Sequence, residues 1–364
     1  MDTAIKEFNK RRMERLKARY GDDYRSVVAF KARRAARLDA GDYDESKHKR
    51  DKNGRFAPKD GGSDGGDSAK PKGKAAASSP KKTGMFPTPK SGTSYDGATQ
   101  SKMKDLEDKA KTDPAVAKVL KGLSDKDIVY QKDSKGKESA CIPGLAHMTD
   151  TKLVGCSAEA QKIFDQRVAN GKKTTEDMIA IGQKLGGNMH GLAYCYKGGE
   201  SLGRKINKAI KEKEERGVKG VTDVEILNGI DDAVRYTFMC EHDDLAEKCL
   251  AFEDELTKAG YTITQRDNKY LPKYDENGNE VPRDYKGIHL QVKTPTGDLI
   301  ELQLHSKESM DVKDKNHPIY EKARKLEKSD PEFKRLTQQM IDNTATLKEP
   351  RGIRDLPTFG KKKK

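Results

Sequence analysis

The sequence predicts an α+β domain with a mixed, largely antiparallel sheet flanked by helices. Residues 287–293 and 299–305 alternate between apolar and polar side chains and flank the turn sequence Thr294-Pro-Thr-Gly297, which is typical of a β-hairpin. Helical and extended segments surround this hairpin without strict strand–helix–strand alternation. That mixture favours an antiparallel sheet over a parallel one.

The segments before the hairpin follow helical or extended patterns in turn. Helices are predicted over residues 157–185, 201–216 and 243–259, and strands over residues 232–240 and 261–266. Gly171 is expected to interrupt the first helix, and Gly260 to end the third. A polar excursion over 268–283 leads into the hairpin, and helices between about 306 and 347 follow it.

Composition and charge divide the chain into five segments. Its 364 residues carry a net charge of +14, and only 33% are hydrophobic. Residues 1–100 hold 24 basic and 14 acidic side chains, and the last four lysines add four charges, so the middle is neutral. We predict a basic amphipathic helix (1–40), a disordered Gly/Ser/Pro/Lys linker (41–100), a charged helical or irregular connector (101–140), a folded domain (141–350) and a basic tail (351–364).

Two classes of protein are excluded by simple features of the sequence. No run approaches the ~20 apolar residues that a membrane-spanning helix needs, so we predict no membrane partner. The five cysteines form no C-x-x-C pair, so zinc and thioredoxin-like motifs are absent from the sequence. A reducing cytoplasm is the expected compartment.

A first group of polar residues lies at the start of the predicted helix 201–216. The segment before this helix and its first turns place cations and a hydroxyl next to the free backbone N–H groups of a helix N-terminus. These residues are Lys197, Ser201, Arg204, Lys205, Lys208 and Lys211. Such a terminus can seat a polyphosphate. The alternative is an ordinary solvated helix surface.

A second group places acids on two strands. Asp231 and Asp232 open the strand 232–240, and period-two alternation puts Glu301, Gln303 and His305 on one face of the hairpin strand. Carboxylates from two neighbouring strands can hold Mg²⁺ against a nucleotide triphosphate. The alternative is a polar, solvent-facing sheet surface.

A third group, Tyr285 and His289, enters the hairpin. A tyrosine there could stack on a nucleotide base, or it could cap the edge of the sheet.

Together and in order, these groups resemble the synthetase domain of the RelA/SpoT family of alarmone (ppGpp) pyrophosphokinases. The family motif R-x-K-x-x-x-S-[IL]-x-x-K is matched from Lys197 to Lys205, and its Asp-before-Arg strand is matched by DDAVRYTF with Arg235. G-Y-x-S-L-H is matched by DYKGIH and E-I-Q-I-R-T by ELQLHS. The resemblance covers residues 150–330 and implies a nucleotidyltransferase-like fold with residues 141–350 as the catalytic domain.

The resemblance also implies roles for the site residues. Lys197 and Lys205 would hold the ATP phosphates, Asp232 (or Asp231) and Glu301 would ligate Mg²⁺, and Tyr285 would stack on the acceptor base. Glu301, Asp232 and Lys205 would be catalytic. Substrate would be bound by the remaining matched positions, which are Lys197, Ser201, Arg204, Arg235, Tyr285, His289, Gln303 and His305. The implied reaction moves pyrophosphate from ATP to a ribose 3′-hydroxyl and releases AMP.

Two departures bear on the acceptor. Cys195 and His305 stand where the family has arginines, and Arg204 or Arg283 could substitute for them. The acceptor is accordingly expected to be a guanine or adenine nucleotide or tRNA. The hydrolase half of bifunctional family members is missing from the sequence, which points to a phage- or prophage-encoded effector or toxin in the host cytoplasm.

A second resemblance concerns residues 48–58, HKRDKNGRFAP, which look like a segment of tailed-phage head and portal proteins. It implies that the basic N-terminal arm binds a capsid protein or DNA. The alternative function is therefore a virion structural or DNA-associated protein with a catalytically dead RelA/SpoT-like domain.

Overall fold

The computed structural model describes residues 84–275 and 277–360. The predicted basic helix, the phage-like segment 48–58 and residues 361–364 of the predicted tail lie outside the described residues. Eight α-helices are described: α1 (Gly97–Ala110), α2 (Pro114–Gly122), α3 (Ala158–Lys184), α4 (Gly199–Glu215), α5 (Asp223–Gly229), α6 (Leu245–Lys258), α7 (Lys307–Ala323) and α8 (Pro331–Ala345). Within this described part, no helix is both long and apolar enough to span a bilayer.

The fold is α+β, as predicted, with nine strands in the described residues. They are β1 (Val129–Lys132), β2 (Glu138–Cys141), β3 (Asn188–His190), β4 (Arg235–Cys240), β5 (Thr262–Asn268), β6 (Lys273–Tyr274), β7 (Glu280–Val281), β8 (Ile288–Lys293) and β9 (Leu299–Ser306). Five of them form the central sheet in the order β3-β4-β9-β8-β5. Its neighbours are antiparallel except β4 and β9, which are parallel.

The predicted hairpin is confirmed as β8 and β9. Ile300, Leu302 and Leu304 of β9 are buried in the main core, with Tyr236 and Phe238 of β4 on the same side of the sheet. Burying each such side chain contributes roughly 1.5–3 kcal/mol, which fixes the register. The opposite, polar face of the same strands is therefore held in a defined orientation.

Helix α3 runs without the interruption expected at Gly171. The residue lies inside a continuous helix, and a Cβ there would come within 2.7 Å of the Tyr196 ring. The glycine therefore permits close packing of that ring and does not break the helix. The predicted stop at Gly260 is confirmed, because this glycine follows α6 with φ of +85°.

Residues 84–100 are packed, unlike the disordered linker predicted for them, whereas α1 and α2 lie largely in the predicted helical or irregular connector. Phe86 and Tyr95 are buried together with Leu106, Leu120 and Ile142 in a separate apolar cluster. Helices α1 and α2 and the hairpin β1–β2 provide most of this unit. Its apolar residues are few and widely spaced in a highly charged sequence. The average composition of this segment therefore did not predict a packed apolar cluster.

The beginning of the predicted C-terminal tail also belongs to the folded domain. Ile353, Leu356 and Phe359 are buried in the main core, and Phe359 pairs with Arg266 of β5. The Arg266 guanidinium donates to both oxygens of Glu253, at 2.7 Å each, and neither side chain is exposed. These three apolar residues are spaced three apart among charged and polar residues, so the sequence pattern did not predict their burial.

Candidate active site

The polar face of the central sheet carries most of the predicted site residues. Glu301, Gln303 and His305 alternate along β9 with the buried leucines and Ile300. Parallel pairing places Arg235 of β4 opposite Glu301, and antiparallel pairing places His289 of β8 opposite Gln303. Side chains opposite one another on paired strands share a face, so these five residues form one polar surface.

Lys197, Lys205 and Asp232 converge beside this surface. The Lys197 ammonium lies 2.7 Å from one oxygen of Asp232, and the Lys205 ammonium lies 2.6 Å from the other. Burial raises the pKa of Asp232, but the two lysines outweigh burial and lower it. The predicted cation cluster and one predicted acid are thus brought together as a compact ionic triad.

Backbone hydrogen bonds fix the triad relative to the sheet. The Lys197 amide donates to the Ala233 carbonyl at 3.0 Å, and the Glu301 amide donates to the Val234 carbonyl at 3.0 Å. The loop that carries Asp231 and Asp232 is therefore bonded on one side to the segment before α4 and on the other to β9. This arrangement places the triad at the end of the sheet where Arg235 faces Glu301.

The helix N-terminus of α4 is already capped, which corrects the prediction of free N–H groups there. The Gly199 amide donates to the Asp150 carbonyl at 2.7 Å, and the Glu200 amide donates to the Asp150 carboxylate at 3.0 Å. Arg204 is largely exposed and pairs with Glu200 at 3.8 Å, while Ser201 is half-buried in the first turn. The lysine ammonium groups therefore supply most of the positive charge of the triad region.

Glu301 is held by two donors and is strongly acidic. His289 Nδ1 lies 2.8 Å from one carboxylate oxygen, and the Gln303 amide donates to the other at 2.9 Å. Burial raises the pKa of Glu301, but the His289 contact, the nearby Arg235 and the Gln303 bond outweigh it and hold the pKa at about 2. Glu301 is consequently ionised at neutral pH.

Asp231 and Lys313 extend this arrangement. The Gln291 amide donates to the Asp231 carboxylate at 3.1 Å, and Gln291 lies opposite Glu301 in the β8–β9 pair. Lys313 of α7 donates to Gln303 at 2.8 Å. Burial and the charge of Arg235 lower the pKa of Lys313 to about 8. Neither Gln291 nor Lys313 was predicted as a site residue.

Tyr285 joins the two imidazoles of this polar face. Its hydroxyl lies 2.8 Å from His289 Nε2 and 2.6 Å from His305 Nε2, and its ring meets both imidazoles edge-on. His305 is fully buried, and its Nδ1 lies 2.9 Å from Ser309 Oγ. Ser309 Oγ also accepts from the Ser306 amide and lies 3.2 Å from the Ser306 carbonyl. Tyr285 and His305 thus have polar partners inside the protein.

The positions where the family has arginines are filled differently. Cys195 is 1% exposed and belongs to the main core, and burial raises the pKa of its thiol to about 12. Arg283 donates to the Leu271 carbonyl at 3.1 Å. With Arg204 paired to Glu200, Arg235 is the arginine that faces the site carboxylate.

The donor set suits Mg²⁺ bound together with phosphates. Across the described residues, no cluster of three or more His, Cys, Asp or Glu side chains is arranged as a metal cage. Mg²⁺ usually takes only one or two carboxylates and completes its shell with water and substrate phosphates. Asp232 and Glu301, both ionised and located at the same end of the sheet, fit that requirement.

The comparisons with known proteins give structural similarity at low sequence identity. Neither a protein-family model nor a curated protein matches the chain. The complex between the Type VI effector Tas1 and its immunity protein is similar with a TM-score of 0.33 and 18% identity, over 53% of this chain and 95% of that chain.

Two structures of the small alarmone synthetase 1 from Bacillus subtilis are also similar. One has a TM-score of 0.25 and 16% identity, over 38% of this chain and 67% of that chain. The other, bound to its product pppGpp, has a TM-score of 0.25 and 18% identity, over 38% and 68%.

Proposed function

We propose that this chain transfers pyrophosphate from ATP to the 3′-hydroxyl of a nucleotide or of tRNA. The observation that carries the proposal is the convergence of Lys197 and Lys205 on Asp232, in the loop that enters the sheet beside Glu301. The four motifs that resemble those of the RelA/SpoT synthetases follow in the same order along the sequence, with Cys195 and His305 in place of arginines. The reaction is a phosphoryl-type transfer, in which positioning and charge stabilisation provide most of the acceleration.

The two lysines would bind the phosphates. In the structure each ammonium is held against Asp232, so both are already oriented and close together. Polyphosphate oxygens offer the same kind of charge-assisted hydrogen bond as a carboxylate. Asp232 and Glu301 would hold Mg²⁺, which when bound offsets the negative charge that develops on the phosphates.

Glu301 would orient the acceptor hydroxyl. Its two oxygens each receive one hydrogen bond from the protein, which leaves further lone pairs for the metal and for the hydroxyl. The hydroxyl oxygen attacks the β-phosphorus of ATP, and the bond from that phosphorus to the oxygen bridging it to the α-phosphate breaks. AMP leaves, and the hydroxyl proton is released to solvent. By the resemblance, Tyr285 would stack on the acceptor base.

The test is incubation with [γ-³²P]ATP and Mg²⁺ against a panel of GDP, GTP, AMP, ADP and tRNA, with products resolved by chromatography. Glu301→Gln and Asp232→Asn are expected to reduce transfer at least 100-fold, because each removes a charge that the transition state needs. Glu308→Gln is the matched control, since Glu308 is 58% exposed at the start of α7. Absence of labelled product with every acceptor, or equal activity of Glu301→Gln and wild type, would refute the proposal.

The proposal extends to an effector or toxin role. Pyrophosphate transfer that is not reversed would consume ATP and modify its acceptor. Expression of the wild-type chain in a bacterial host is therefore expected to arrest growth, and Asp232→Asn is expected to relieve the arrest at equal protein level. Growth arrest of the same extent with both proteins would show that the toxicity has another origin.

A further inference from the structure

A linear series of hydrogen bonds leads from the buried end of β9 to Glu301. Ser309 Oγ lies 2.9 Å from His305 Nδ1, and His305 Nε2 lies 2.6 Å from the Tyr285 hydroxyl. The same hydroxyl lies 2.8 Å from His289 Nε2, and His289 Nδ1 lies 2.8 Å from the Glu301 carboxylate. We call Ser309, His305, Tyr285 and His289 the histidine–tyrosine chain.

Donor counting gives each bond of the histidine–tyrosine chain a direction. A carboxylate can only accept, so His289 Nδ1 carries a proton. A neutral His289 then accepts at Nε2 from the single proton of the Tyr285 hydroxyl. The tyrosine oxygen then accepts from His305 Nε2. The Ser309 hydroxyl donates its single proton to His305 Nδ1 at 2.9 Å in preference to the Ser306 carbonyl at 3.2 Å. Every donor points toward Glu301, and every ring nitrogen has a partner.

The surroundings of His305 favour a neutral imidazole. His305 is fully buried, and Lys313, His289 and His190 add positive charge or potential charge around it. Burial and these neighbours hold the pKa of His305 well below its usual range.

We infer that the histidine–tyrosine chain fixes the orientation of the Glu301 carboxylate and that His305 and Ser309 are positioning residues for the proposed transfer. Only the catalytic consequence of this inference rests on the proposed function. The hydrogen bonds themselves are present whether or not the protein has that activity. His305 occupies the position of an arginine in the family that this sequence resembles. The histidine–tyrosine chain therefore has a neutral imidazole at the position where that family has a cation. Groups that orient a carboxylate or histidine at a metal site typically change activity 10–100-fold when removed.

The first test is independent of activity. Long-range ¹H–¹⁵N NMR of the full chain reports which ring nitrogen of each histidine is protonated. We expect the Nδ1–H form for His289 and the Nε2–H form for His305. Tyr285→Phe removes the central hydroxyl and is expected to shift the His289 signals, while Tyr320→Phe, at a tyrosine that is 51% exposed, is expected to leave them unchanged. The opposite tautomers, or His289 signals that do not respond to Tyr285→Phe, would overturn the inference.

The second test is kinetic. In an active protein, Tyr285→Phe and His305→Leu are expected to lower kcat 10–100-fold and to change the KM for ATP less than twofold. His305→Gln keeps an amide N–H that can reach the Tyr285 oxygen, so it is expected to recover most of the lost kcat. Equal kcat values for His305→Gln and His305→Leu, with both proteins folded by circular dichroism, would also overturn the inference. A wild-type protein without transferase activity counts against the proposed function, and the NMR result then decides the inference alone.

Discussion

Replacing Glu301 by Gln should destabilise the fold in a way that depends on pH. The folded protein holds the pKa of Glu301 at about 2, against an ordinary value of 4.5, and the side chain is 13% exposed. A tenfold change in acid dissociation corresponds to about 1.4 kcal/mol, so the ionised carboxylate contributes about 3 kcal/mol to the free energy of unfolding at pH 7. Gln carries no such charge and loses this contribution.

The direction of the pH effect follows from the lowered pKa. The contribution of Glu301 is fully present well above pH 4.5 and is lost as the pH falls toward 2. Urea unfolding of wild type and Glu301→Gln at pH 7 and pH 3.5 gives the difference in the free energy of unfolding between the two proteins at each pH. We expect the wild-type advantage to fall by roughly 1 kcal/mol between these pH values. A difference that is equal at both pH values would contradict the derived ionisation of Glu301, whatever its role in catalysis.

Three further substitutions test the packing and the triad. Glu253→Gln leaves the buried Arg266 without its full partner and should cost about 3–5 kcal/mol in thermal or urea unfolding. Gly171→Ala forces a methyl group to within 2.7 Å of the Tyr196 ring and should cost about 1–3 kcal/mol in the same assay. Lys205→Ala removes one of the two ammonium groups on Asp232 and should weaken ATP binding about tenfold by calorimetry, because a charge-assisted hydrogen bond contributes about 1.5–3 kcal/mol.

Each of these substitutions has a matched control. Glu255→Gln lies on the same helix as Glu253, with its partners at the surface, and should shift the melting temperature much less. Gly229→Ala places its methyl group in open space and should not destabilise the fold. Lys208→Ala, one turn after Lys205, removes a lysine that pairs with Glu212 at the surface and should leave ATP affinity nearly unchanged. A control that behaves like its test variant would refute the corresponding explanation.

The parts of the fold that were predictable are those with local periodicity. The hairpin β8–β9 follows from period-two alternation, and that alternation also placed Glu301, Gln303 and His305 on one face. The parallel pairing of β4 with β9 joins segments more than 60 residues apart. Sequence patterns report which face of a strand is buried, but they do not report which strand lies beside it.

The candidate site shows the same division. The spacing of Lys197, Lys205 and Asp232 and their motif predicted a cluster that the structure brings together. The capping of α4 by Asp150 depends on a loop almost 50 residues earlier in the chain, so the predicted free N–H groups were wrong. Lys313 was missed because its long side chain reaches Gln303 from a helix that packs across the sheet.

The central claim is pyrophosphate transfer by the site at Asp232 and Glu301, and the products of ATP test it most directly. Purified wild-type protein is incubated with ATP, Mg²⁺ and the acceptor panel, and AMP, ADP and the modified acceptor are quantified by chromatography. The proposal predicts one AMP for each pyrophosphorylated acceptor, with both products reduced at least 100-fold in Glu301→Gln. Formation of ADP instead of AMP, or AMP without a modified acceptor, would contradict it.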